Sequence, residues 1–184
     1  MTQLDRNQAI LAVIDVQEKL MAVIHEAGVV EANVDRLIRG AHVLGISVVV
    51  TEQYPKGIGP TTSVVRDAMW AAGAAEPIQK MCFSSFGADE FANALRHSGR
   101  RQVILCGVEA HVCVYQTCRD LLAAGFEVFL VGDATSSRTE RNRDVAIARM
   151  TSDGARLTTT EMALFEMTGI SGTDEFRAIS RLVK

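Results

Sequence analysis

Residues 101–125 read RQVILCGVEAHVCVYQTCRDLLAAG. The stretch opens on a short apolar run, RQVILCGV (101–108), that is continuous rather than alternating. That is the pattern of a parallel strand covered on both faces. It closes on a helical spacing, in which Val114, Cys118, Leu121 and Leu122 form one apolar stripe ended by Gly125. Cys113 falls between the two, at the expected first turn of the helix and just beyond the strand. Such a cysteine is either a small buried hydrophobe or a thiol that a helix N-terminus can activate.

The same alternation extends in both directions. Five further segments read as strands: AILAVID (9–15), ISVVVTEQ (46–53), EPIQKM (76–81), FEVFLVGDA (126–134) and ARLTTT (155–160). Between them, Val30, Val34, Leu37, Ile38, Ala41 and Leu44 form a helical stripe ended by Gly45. Phe91, Ala94 and Leu95 form another, ended by Gly99. Ser137-x-x-Glu140 has the form of a capping box that would open a further helix. Strand and helix in turn predict an α/β fold, a Rossmann-like three-layer αβα arrangement around a six-stranded, mostly parallel sheet. Residues 1–184 carry no repeat and no Pro/Gly-rich linker, which predicts one domain. The irregular stretch YPKGIGPTT (54–62) reads as an ordered loop after the second strand.

A chain of 184 residues can bury a sizeable core, and 48% hydrophobic residues is ordinary for an enzyme-like domain. A net charge of -3 gives no electrostatic footprint for nucleic acid or a membrane. No apolar run is long enough to span a bilayer. MTQLDRNQAI lacks the form of a signal peptide, so the cytoplasm is the expected compartment. None of Cys82, Cys106, Cys113 and Cys118 forms a CxxC pair, and no Cys/His cluster has structural-zinc spacing.

In open parallel sheets, ligands sit beyond the carboxyl ends of the strands. The polar residues there are Asp15 after the first strand, Lys80 at the third and Cys113 beyond the fourth. Each has a plain alternative: Asp15 as a helix cap, Lys80 as a solvated strand end, Cys113 as packing. Together they make a coherent site. A helix start and a neighbouring ammonium would lower the thiol pKa, and a carboxylate could take its proton and return it to a leaving group. His111, two residues from Cys113, would point away from it on a helix.

The chain resembles the isochorismatase-like cysteine hydrolases, which include nicotinamidases, carbamoylsarcosine amidase and isochorismatases. The resemblance rests on LAVIDVQEKL (11–20), VTEQYPKGIGPT (50–61), QKMCFSSF (79–86), GVEAHVCVYQTCRDLL (107–122) and GDATSSR (132–138). The second and fourth of these look most like the isochorismatase-domain-containing subgroup. The resemblance implies a catalytic Asp–Lys–Cys set at Asp15, Lys80 and Cys113. It implies a cis peptide between Val108 and Glu109, with the backbone N–H groups of Glu109 and Cys113 forming an oxyanion hole. It also implies a homo-oligomer.

Two departures sharpen the expectation. Nicotinamidases carry an Asp/His metal site near the second strand, whereas TEQYPKGIGP has no His, so no metal and no other cofactor is expected. Some isochorismatases lack the nucleophilic Cys, because vinyl-ether hydrolysis needs an acid rather than a thiol. Cys113 therefore points to a hydrolase that cleaves an amide or amide-like C–N bond of a small molecule through a thioester. Isochorismatase-type ether hydrolysis and a non-catalytic binding or scaffold protein are the alternatives. Gln17, Gln53, Tyr54, Phe83 and Phe86 are the expected pocket-lining residues.

Overall fold

A computed structural model describes residues 3–184. Its strands are β1 (Ala9–Ile14), β2 (Val48–Gln53), β3 (Ile78–Lys80), β4 (Gln102–Gly107), β5 (Glu127–Thr135) and β6 (Arg156–Thr158). All six form one sheet in the order β3-β2-β1-β4-β5-β6, and every ladder is parallel. This is the doubly wound order, with its topological switch point between β1 and β4. Each strand begins and ends within two residues of the segment expected from sequence, and the sheet is wholly rather than mostly parallel.

The helices are α1 (Glu18–Met21), α2 (Ala27–Val43), α3 (Pro55–Ile58), α4 (Ser63–Ala72), α5 (Asp89–His97), α6 (Tyr115–Ala123), α7 (Glu140–Ser152), α8 (Thr160–Thr168) and α9 (Asp174–Leu182). Among the described residues none is long and apolar enough to cross a membrane.

The two-residue period of a strand divides the apolar residues between two cores. Leu11 and Val13 of β1 join Ile104 and Cys106 of β4 under α2, α4, α8 and α9. Ile10, Ala12 and Ile14 join Val103 and Leu105 under α5, α6 and α7. β1 is buried at all six positions, which explains its unbroken apolar run. Phe91 and Leu95 of α5 are fully buried, and each contributes about 1.5–3 kcal/mol.

The capping box is a correction. The N-cap of α7 is Thr139, whose side chain accepts a hydrogen bond from the Asn142 N–H. Ser137 lies outside the helix, and its Oγ is 3.0 Å from His111 Nδ1.

Candidate active site

Three neighbouring strands deliver the site. β1 ends at Ile14, and Asp15 turns out of the sheet with φ 51°, a left-handed conformation uncommon for a non-glycine residue. The following helix does not start until Glu18, so Asp15 is not its cap. β2 runs beside β1 with Ile14 opposite Thr51. Thr51 and Gln53 therefore share one face, and Glu52 takes the other. β3 ends on Lys80, opposite Gln53.

Lys80 Nζ lies 2.7 Å from Asp15 Oδ2, and both side chains are fully buried. The Thr51 hydroxyl donates to the other carboxylate oxygen at 2.7 Å. Lys80 Nζ also donates to Gln53 Oε1 at 2.8 Å and to the carbonyls of Phe83 and Cys82 at 3.2 and 3.3 Å. A buried ion pair is tolerable only where its remaining donors and lone pairs are filled in this way.

Cys113 sits in a wide π-helical turn, Ala110–Val114, that runs directly into α6. The Val108–Glu109 peptide is cis. The carbonyl of Glu109 accepts from the N–H groups of Val112 and Val114. Cys113 is buried with 6% exposure. Burial pushes its thiol up to about 12, and the charge of Asp15 adds to this. The ammonium of Lys80 acts in the opposite direction and is outweighed, while the charge of Glu109 raises the value further. This corrects the expectation of a depressed thiol pKa: Lys80 is already matched by Asp15, and little of its charge is left for the sulfur. Cys118 is likewise pushed up to about 12, and Cys106 is raised as well, both chiefly by burial.

The expected pocket residues divide. Tyr54 and Phe83 are about half exposed beside the Lys80 strand end. Gln17 is fully buried and its amide is spent on backbone: Nε2 donates to the carbonyls of Gly59 (2.6 Å) and Gln53 (3.1 Å), and Oε1 accepts from the Gln53 N–H (2.8 Å). Gln53 turns its own Oε1 to Lys80 and its Nε2 to the Met81 carbonyl at 2.8 Å. Gln17 has no N–H left for a substrate, whereas among the described residues Gln53 Nε2 has one acceptor, the Met81 carbonyl, for its two protons. Phe86 is a further correction. Its ring meets Phe126 edge-on at 5.9 Å and lies under Arg96 at 5.3 Å. Phe126 leads into the amino end of β5, so Phe86 packs toward the opposite edge of the sheet. The Glu109 side chain is bound by Arg138 at 2.9 Å, which leaves its backbone N–H as the group available to a ligand.

Residues 54–62, expected as an ordered loop, contain the one-turn helix α3, and Glu52 of β2 carries the one carboxylate of residues 51–62. Its Oε1 accepts from both the N–H (2.6 Å) and the hydroxyl (2.7 Å) of Thr61. Among the described residues no three His, Cys, Asp or Glu side chains gather as a metal cluster. Sequence reasoning overlooked Thr51 and the His111–Ser137 contact. The polar TEQ ending of an otherwise apolar strand was the available signal for Thr51.

The isochorismatase domain family model matches residues 9–162. The secreted isochorismatase effector Isc1 of Phytophthora sojae is 36% identical over 179 residues, 97% of this chain and 85% of that protein. Among solved structures, the MAR1 ribonuclease of Caenorhabditis elegans aligns with a TM-score of 0.90 at 36% identity, over 99% of this chain and 92% of that one. YcaC has been solved from two bacteria. The Escherichia coli protein, described as an octameric hydrolase of unknown specificity, gives a TM-score of 0.91 at 25% identity, over 99% and 89% of the two chains. The Pseudomonas aeruginosa protein, solved with hexane-2,5-diol and covalent acrylamide, gives 0.89 at 26% identity, over 97% and 90%. With its family model spanning most of its length and a relative at 36% identity over nearly all of it, the chain belongs to the isochorismatase family.

Proposed function

We propose that the protein is a cysteine hydrolase that cleaves an amide or amide-like C–N bond of a small molecule, with Asp15, Lys80 and Cys113 as its catalytic set. One observation carries the reading. A fully buried Asp15–Lys80 pair, closed at 2.7 Å, acts on the thiol of Cys113, itself buried with 6% exposure.

The raised thiol pKa suits this chemistry. Loss of the proton to solvent would leave two anions beside one cation. Transfer to Asp15 moves the negative charge without creating any. Cys113 Sγ attacks the carbonyl carbon as Asp15 takes the thiol proton. The carbonyl oxygen becomes an oxyanion, held by the N–H groups of Glu109 and Cys113. Asp15 then gives its proton to the leaving nitrogen, the C–N bond breaks, and a thioester remains on Cys113. Water attacks the thioester carbon, its proton passes to Asp15, and the carboxylic acid leaves as the sulfur departs. The proton on Asp15 returns to the sulfur and closes the cycle. Lys80 holds the Asp15 carboxylate in place and offsets its charge, and no step requires a metal. Tyr54 and Phe83 flank the entrance.

The covalent acrylamide on the Pseudomonas YcaC supports a nucleophile in this fold, since acrylamide is an amide-bearing electrophile. The octameric description of the other YcaC supports a homo-oligomer. The four unpaired cysteines suit a reducing compartment such as the cytoplasm, while the Phytophthora relative is named as secreted. The test is ammonia release from a panel of small primary amides, with Cys113→Ala as the control and an RNA oligonucleotide in parallel. Release that depends on Cys113 is the expected result. RNA cleavage without any amide turnover would replace the reading.

A further inference from the structure

Gln17 and Gln53 read as pocket-lining residues in the sequence, yet both amides are hydrogen-bonded inside the protein. We infer that they are positioning residues, a two-glutamine clamp that fixes the Lys80 ammonium and through it the Asp15 carboxylate. The inference rests on the proposed roles of Asp15 and Cys113.

The clamp has a definite direction. An ammonium has three protons and no acceptor. Around Lys80 Nζ stand one carboxylate oxygen of Asp15 at 2.7 Å, Gln53 Oε1 at 2.8 Å and two backbone carbonyls at 3.2 and 3.3 Å. Gln53 Oε1 is therefore the one close neutral acceptor opposing the pull of Asp15. Its amide cannot flip, because Nε2 is held by the Met81 carbonyl at 2.8 Å and a flip would turn its N–H groups against the ammonium. Gln53 is held in turn by Gln17, which bonds to both its N–H and its C=O.

Gln17 also ties the clamp to residues 54–62. Its Nε2 reaches the Gly59 carbonyl at 2.6 Å, and its backbone forms an isolated antiparallel bridge with Thr61. Thr61 is anchored to Glu52 on the opposite face of β2. Residues 54–62 and the Lys80 ammonium are thus tied together by one chain of hydrogen bonds. A displacement of about 1 Å in such a group can cost about a hundredfold in rate.

The test uses acrylamide as the probe and the full-length protein. Addition forms a bond between Cys113 Sγ and the terminal carbon of the alkene as the C=C π bond breaks, and the thiol proton ends on the carbon next to the carbonyl. Labelling of each cysteine is followed by peptide mass spectrometry in the parent, Gln53→Met, Gln17→Met and the double variant. The exposed Cys82 is an internal reference, and the buried Cys106 and Cys118 report loosening of the fold. Each single variant is expected to slow Cys113 labelling by about tenfold to a hundredfold, with Cys82, Cys106 and Cys118 unchanged. The double variant is expected to be little slower than the worse single one, since both act through Lys80. The acrylamide concentration for half-maximal rate is expected to stay within about twofold, because neither amide touches the probe. Unchanged Cys113 labelling, or a rise in that concentration with the limiting rate preserved, would overturn the inference in favour of no role or a pocket-lining one. Faster labelling of Cys113 together with Cys106 and Cys118 in both single variants would reduce the glutamines to fold support and also overturn it. If Cys113 in the parent labels no faster than Cys106, the nucleophile assignment falls, and the clamp falls with it.

Discussion

Gly107 and Ile14 face each other at the ends of β4 and β1, so close that a Cβ on Gly107 would run into the backbone of Ile14. The Val108 N–H donates to the Ile14 carbonyl at 2.9 Å, and Gly107 has φ +113°. This contact lies at the topological switch point and sets the separation of the two strand ends that present Asp15 and Cys113. Gly107→Ala is expected to cost about 2–4 kcal/mol, from backbone conformation and close approach together. Urea denaturation measures it; a loss below about 0.5 kcal/mol, the usual range for a surface change, would mean that the strands part without strain.

Removing one member of the Asp15–Lys80 pair leaves the other charge buried without its partner. Lys80→Met is expected to destabilise by about 3–5 kcal/mol. Adding Asp15→Asn should recover part of that loss, since asparagine is uncharged and tolerates the left-handed backbone at this position. Equal stability of the single and double variants would show that the pair carries little coupling.

Thiol labelling by iodoacetate, an anion with no amide group, should report the resting pKa order. Cys82 is exposed, whereas the Cys113 thiol is held up near about 12. At neutral pH Cys82 is expected to react first, and the Cys113 rate should climb with pH well beyond the range of an ordinary thiol. Faster labelling of Cys113 at pH 7 would show an activated resting thiolate and restore the expectation drawn from sequence.

The buried thiols also predict alkaline instability. The unfolded chain loses these protons near the ordinary value of 9.0, while the fold keeps them on Cys113 and Cys118 up to about 12 and on Cys106 at higher pH still. Above pH 9 the unfolded state binds fewer protons than the native one, so stability falls as pH rises. It is complete below about 9 and lost progressively toward 12. Cys118→Ala is expected to flatten the fall between pH 9 and 11 in urea titrations, whatever its effect at neutral pH. A slope identical to that of the parent would remove Cys118 from this account.

The sheet and the strand-end triad were legible because both depend on residue type at a position along the chain. Continuous apolar runs mark covered parallel strands, and the residue that ends each run must lie at the sheet edge. Side-chain direction was not legible. Gln17, Gln53 and Phe86 all occur near the edge, yet hydrogen bonds turn the two glutamines inward and ring packing carries Phe86 away toward Phe126. The thiol shift was misread for a related reason. A helix start and a nearby lysine are visible in sequence, whereas the depth of burial of Cys113 and the pairing of Lys80 with Asp15 exist only in three dimensions.

The central claim is that Cys113 carries the acyl group, and rapid-quench mass spectrometry on a turned-over amide tests it most directly. The expected result is a transient mass gain of one acyl group on the peptide containing Cys113, absent in Cys113→Ala, with turnover lost in both Cys113→Ala and Asp15→Asn and little further loss in the double variant. Turnover by Cys113→Ala near the parent rate, with Asp15→Asn inactive and no adduct at any time point, would contradict the account and leave acid catalysis by Asp15 in its place.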